Sequence, residues 1–230
     1  MKLLKMTLLT TALGLSTVAQ ADFIGLKGDI SYWITDGNVD ITQPYEVHDK
    51  LDRDGAVQLS LAFEHPVPFL PNAKIKYVDL DSTTQNQLYN TDASLKNTDY
   101  ILYYEILDNI ISIDLGLGLA NLDGDVKQYN SLDEIKYTID GNGVIGYVNV
   151  GAKLPFTGLS ASTEAIYSSF SDGKFTDLQA EFQYDFINNI ALDIGAKVGY
   201  RYMKVDFDQL KDQDLKIEFK GPYIGLNAHF

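Results

Sequence analysis

The residues best suited to chemistry in this chain are its evenly spaced charges. Asp29, Glu64, Glu105, Asp114, Glu164, Glu181 and Asp193 alternate with apolar neighbours, and so do Lys27, Lys153, Lys197 and Arg201. Lys74, Lys76, Asp99, Asp177 and Asp185 extend the set. On a strand, side chains two apart share a face, so these charges gather opposite the apolar residues. Inside a narrow barrel they would pair across the interior, because breaking a buried ion pair costs about 3–5 kcal/mol. The expected result is a salt-bridge network that plugs the lumen. If the same ring of charge stayed open, its excess of acids would make a small cation-preferring, porin-like channel.

Other constellations are weaker. His48 with Asp79, Asp81, Asp206 and Asp208 could hold a water for attack on a peptide bond, with His48 as general base. The segments "TDGNVD" (35–40) and "NLDGDV" (121–126) offer closely spaced carboxylates to calcium, but neither matches a full twelve-residue calcium loop. His65 and His229 lack metal partners nearby in sequence and read as structural hydrogen-bonding residues. No phosphate-binding glycine loop, nucleophile elbow or zinc-binding helix is present, and no cofactor is expected. With no cysteine in the chain, disulfides, thiolate catalysis and Cys-ligated metals are excluded.

The elements that must position the charges are strands. Between Thr176 and Phe186 the odd positions are all polar or charged, and the even ones are Leu178, Ala180, Phe182, Tyr184 and Phe186. The segment 190–202 repeats this alternation, as do 57–64 and 111–119. Ten strands are predicted: 22–34, 55–64, 73–81, 97–107, 110–120, 143–154, 158–170, 175–186, 190–205 and 214–230. Short turns alternate with longer polar segments at 35–54, 82–96, 121–142 and 206–213, expected to be loops. This pattern describes an all-β, antiparallel up-and-down barrel of about ten strands, or eight if one weak hairpin lies outside it.

The address is written at the N-terminus. Lys2 and Lys5 precede an apolar run that ends in Ala19-Gln20-Ala21, so 1–21 reads as a secretory signal peptide and 22–230 as one barrel domain. Loss of Lys2 and Lys5 takes the formal charge from −14 to −16, which excludes nucleic acid as a partner.

Two barrels share this alternation. A soluble, lipocalin-like one puts the apolar face inside, whereas an outer-membrane one turns it to lipid. Gly116, Gly118, Gly195, Gly199 and Gly225 fall on the polar parity, as a crowded lumen requires. Tyr32, Tyr100, Tyr104, Tyr167, Tyr184, Tyr200 and Tyr202 fall on the apolar parity near strand ends, where amphipathic rings suit a membrane interface. The expected fold is therefore a transmembrane β-barrel integral to the outer membrane, with lipid and lipopolysaccharide around it.

The segments "EHPVPFLPN" (64–72), "LYYEILDN" (102–109), "LPFTGLS" (154–160) and "GPYIGLNAHF" (221–230) resemble the recurring segments of an uncharacterised outer-membrane β-barrel family of Gram-negative bacteria. That resemblance implies a barrel in the outer membrane and brings no substrate, cofactor or catalytic residue. The expected role is structural or surface-exposed and non-catalytic. The channel is the alternative, and a hydrolase of the omptin type at the rim is a more distant one, since none of that family's motifs is present.

The C-terminal stretch carries its own expectations. Tyr223 and the final Phe230 resemble the signal read by the barrel assembly machinery. Pro222, Ile224, Leu226 and Ala228 share one parity, yet Leu215, Ile217 and Phe219 carry the apolar side chains on the other. A β-bulge at Lys220-Gly221 would keep both halves facing lipid.

Overall fold

The computed structural model describes residues 25–42, 47–85, 90–170, 173–189, 192–210 and 213–230; the predicted signal peptide lies outside them. Eleven strands occur in order: β1 (Gly25–Ile41), β2 (Val47–Lys50), β3 (Asp54–Glu64), β4 (Asn72–Gln85), β5 (Asn90–Asp108), β6 (Ile111–Tyr129), β7 (Glu134–Leu154), β8 (Leu159–Phe170), β9 (Gly173–Asn188), β10 (Asp193–Leu210) and β11 (Gln213–His229). Each barrel strand pairs antiparallel with its neighbours, and β11 pairs with β1, closing a ten-stranded barrel. The short β2 lies outside that count, alongside the last residues of β1. Closure removes the exposed edges an open sheet would carry.

The two ends differ. At the lower end, short connections join β3–β4, β5–β6, β7–β8 and β9–β10. Phe230 is fixed there by reciprocal backbone bonds, Leu26 N–H to Phe230 O at 3.1 Å and Phe230 N–H to Leu26 O at 3.0 Å. The upper end is built differently from the sequence-based expectation. Most of the predicted polar loops are strand: β1 runs on to Ile41, β5 begins at Asn90, and β6 and β7 stay paired up to Tyr129 and Glu134.

The reason is an inversion of polarity part-way up the wall. In the lower half, Ile30, Tyr32 and Ile34 face outward and Asp29 and Ser31 inward; above it, Asp36, Asn38 and Asp40 face outward while Val39 and Ile41 are buried inside. The other strands switch at the same level. Inner faces change from Lys76 to Val78, from Asp177 to Phe175 and from Arg201 to Met203, all buried, while outer faces change from Leu119 to Asn121 and from Tyr202 to Lys204. Alternation never stops, so the strands never stop; only the assignment of faces is exchanged. The lower half is an inside-out barrel and the upper half has a hydrophobic core like that of a soluble one.

This inversion also replaces the predicted β-bulge. The register of β11 against both β1 and β10 is continuous through Lys220 and Gly221, with Lys220 opposite Asp36 and Tyr202, and Phe219 opposite Gly37 and Met203. Phe219, Ile217 and Leu215 are buried inside rather than turned to the outer surface. Gly221 is needed for another reason: a Cβ there would lie 1.9 Å from the Ile34 carbonyl oxygen. That close approach lets the Trp33 indole N–H donate to the Gly221 carbonyl at 3.0 Å.

Candidate functional site: a lumen closed in two layers

The lower half of the interior is a polar plug. Lys27 bonds Glu64 at 2.6 Å and lies 3.9 Å from Glu105, and Glu64 also accepts from the Tyr103 hydroxyl at 2.7 Å. Lys197 bridges Asp29 at 2.6 Å and Glu181 at 3.3 Å, with the Tyr223 hydroxyl donating to Glu181 at 2.7 Å. Lys74 and Lys76 both clasp Glu164, and Lys76 reaches on to Asp177 at 3.3 Å. Asp114 accepts from the Asn149 amide at 2.9 Å. Arg201 completes the assembly: its Nε and Nη2 donate to the two Asp177 oxygens at 2.9 and 2.8 Å, and Nη1 donates to Gln58 Oε1. Paired in this way, the charges keep hydrogen-bond partners despite burial.

The charges predicted for this network do not all enter it. Lys153 is exposed and, with Asp193, lines the lower mouth, where Asp193 accepts the Asn189 backbone N–H at 3.2 Å. Lys74, Lys76 and Asp177 stand at its centre. Gln58, Tyr103, Tyr147 and Asn149 also belong to it but carry no formal charge to mark them in the sequence. Gln58 could have been found from its spacing, since it shares its parity with Ser60 and Glu64.

The interior tapers upward. A 230 Å³ cavity at the lower mouth is lined by Lys27, Glu105, Asp114 and His229. Above it lies a 150 Å³ cavity between Lys74, Glu164 and Lys197, and beside Gln58, Asn97 and Arg201 the space falls to 30 Å³, about one water. An inward tyrosine narrows the route by lying across the glycine directly opposite it, Tyr223 over Gly199. A Cβ on Gly199 would sit 2.4 Å from the Tyr223 ring and 2.6 Å from the Ala180 carbonyl oxygen. Gly199→Ala is therefore expected to destabilise the barrel by about 1–3 kcal/mol, the usual cost of overpacking, read as a lower midpoint in denaturant unfolding.

Arg201 and Trp33 form the boundary between the layers. The guanidinium lies 4.8 Å from the indole centroid, so the last buried cation of the lower half rests on the first large apolar side chain of the upper one. Above it Val39, Leu80, Leu95, Leu122, Ile139, Phe175, Met203, Ile217 and Phe219 belong to one buried cluster that fills the barrel. Trp33, fully buried, is the floor of this core.

The rim residues are spread over the outside of the wall instead of converging on one site. His48 Nδ1 lies 2.9 Å from Asp40, Asp40 lies 3.4 Å from Lys216, and Lys204 bonds Asp206 at 2.6 Å. Arg53 grips Asp36 with two bonds of 3.1 Å, and that hydrogen bonding holds the Asp36 carboxyl below its ordinary range. Asp79 faces Lys96 at 3.6 Å on another part of the wall, and the side chain of Asp208 lies outside the described residues. These groups form exposed pairs on a surface rather than a cleft. The segments 35–40 and 121–126 are strand, so their carboxylates share the outer face but are strung along an extended wall instead of curling round an ion as a calcium loop does. Among the described residues no group of three His, Cys, Asp or Glu is placed to hold a metal. His65 braces the proline-rich turn, with Nε2 3.2 Å from the Pro71 carbonyl and Nδ1 accepting the Val67 N–H at 3.2 Å.

No family model and no curated protein matches this chain. Solved structures similar to it are outer-membrane barrels. The outer membrane protease OmpT from Escherichia coli aligns with a TM-score of 0.47 at 8% identity, covering 93% of this chain and 99% of that one. The translocator domain of autotransporter NalP from Neisseria meningitidis gives 0.45 at 10%, covering 98% and 94%. Ail, the attachment invasion locus protein of Yersinia pestis, gives 0.39 at 14%, covering 89% and 99%. These likenesses concern architecture.

Proposed function

We propose that the protein is an integral outer-membrane barrel with a structural, surface-exposed role, closed to solutes and without catalysis. One observation carries this reading: the inner face turns apolar on strand after strand at the level where the outer face turns polar. The outward apolar belt, with Tyr32, Tyr100, Tyr167 and Tyr200 among its exposed aromatic residues, fits a bilayer. The polar upper wall then stands outside the cell as a self-supporting β-structure, and its core caps the charged lumen. A hydrated ion entering from below would have to displace paired charges and then cross a packed hydrocarbon core, where an uncompensated charge costs several kcal/mol. For the rim-hydrolase alternative, His48 and Asp40 lie on a convex wall that encloses no substrate.

In planar bilayers the purified protein is expected to be silent across voltages. Steady, cation-biased conductance would overturn the closed reading in favour of a channel. Location is tested separately: the band should shift on heating before electrophoresis and fractionate with the outer membrane, whereas recovery as a soluble, heat-insensitive protein would remove the membrane assignment.

A further inference from the structure

Two lower turns share an unusual construction. In Val67-Pro68-Phe69-Leu70 the Leu70 N–H donates to the Val67 carbonyl at 3.4 Å, and in Leu154-Pro155-Phe156-Thr157 the Thr157 N–H donates to the Leu154 carbonyl at 3.4 Å. In both, proline holds the second position and phenylalanine the third, with φ of 67° at Phe69 and 65° at Phe156. That third position is where such turns select glycine, because a side chain there is strained. They are the only described non-glycine residues with positive φ, and both side chains are bare, 94% exposed at Phe69 and 108% at Phe156. A strained backbone that presents a large apolar ring to solvent makes sense only if something covers the ring.

We propose that the phospholipid leaflet on the periplasmic side is that cover, and that Phe69 and Phe156 are two interfacial anchors setting how deep the barrel sits. Both turns continue the apolar belt. Tyr104, on the outward face of β5, donates its hydroxyl to the Phe69 carbonyl at 2.8 Å and so ties that turn to the lipid side. Leu70, Ile106, Ile110 and Leu154 leave further apolar side chains exposed around the same rim. The two turns lie far apart, with four barrel strands between them one way round and six the other. A planar leaflet reaches both at once, whereas a small protein partner would reach one.

This inference rests on the membrane location proposed above. The test places tryptophan at each site, Phe69→Trp and Phe156→Trp, in the full protein reconstituted in phosphatidylethanolamine–phosphatidylglycerol vesicles. Trp33 is buried inside the barrel and supplies a constant background. The added emission is expected to shift to the blue, lose most of its intensity to lipids brominated on the acyl chains and resist aqueous iodide. Quenching by iodide but not by bromine would overturn the anchor, while a heat-modifiable band in the same sample would leave the membrane location standing. A Phe69→Gly/Phe156→Gly variant gives a second reading. Relief of strain should preserve its heat stability in detergent, yet it should fold into preformed vesicles several-fold more slowly than the parent; equal rates would also overturn the anchor.

Discussion

Arg201→Ala should lower the stability of the barrel by about 3–5 kcal/mol, the cost of leaving a buried partner charge uncompensated. Asp177 is fully buried and takes two hydrogen bonds from Arg201. Lys76, 3.3 Å away, is already engaged by Glu164 and is a poor substitute. Gln58 loses its donor and Trp33 its cation in the same step. The effect should appear as a lower urea midpoint with the slope unchanged. Replacing both partners, Arg201→Met with Asp177→Leu, should recover much of the loss, because removing a buried pair entirely is often near neutral. Unchanged stability in Arg201→Ala would mean that the lower charges do not act as a coupled plug.

A comparable loss is expected at Phe219, by a different mechanism. Phe219→Ala would empty a site inside the upper core and should cost about 3–5 kcal/mol, the range for truncating a buried phenylalanine. Ile224→Ala, five residues along the same strand, removes an outward side chain from the apolar belt. In a bilayer, lipid fills that space and the change should cost under about 1 kcal/mol, because acyl chains are as apolar as the lost group. If β11 carried the bulge that its apolar pattern suggests, both changes would be lipid-facing and both would be mild. Urea unfolding of the two variants in vesicles separates the cases.

How much of this was legible in the sequence depends on the residue. Strand number, closure and the placing of Lys27, Asp29, Glu164 and Lys197 on one face followed from alternation alone, because a period of two fixes the face of every residue once one is assigned. The lengths of the strands did not follow. Segments such as 35–41 and 121–129 are rich in Asp, Asn and Gly, which in most contexts mark turns. Here the Asp and Asn residues face outward from strands whose inward partners, Val39, Ile41, Leu122 and Val126, are buried. The signal was present in β11, where the apolar parity changes across Lys220-Gly221. A bulge accounts for that change only if the strand keeps one orientation toward lipid along its whole length. The ion-pair partners were less accessible. Glu164 meets lysines nearly ninety residues away, |i−j| of 90 and 88, and which cation meets which acid across a lumen depends on stagger rather than on spacing.

The exchange of faces is tested most directly by single-cysteine labelling of β11, which the absence of native cysteine makes straightforward. Nitroxides placed through Phe219→Cys and Ile224→Cys in reconstituted protein report access to lipid-soluble oxygen and to a water-soluble relaxant. The predicted result is an immobile label at 219 that meets neither and a label at 224 that meets oxygen. An oxygen-accessible label at 219, matching that at 224, would contradict the inverted upper core and with it the closure of the lumen.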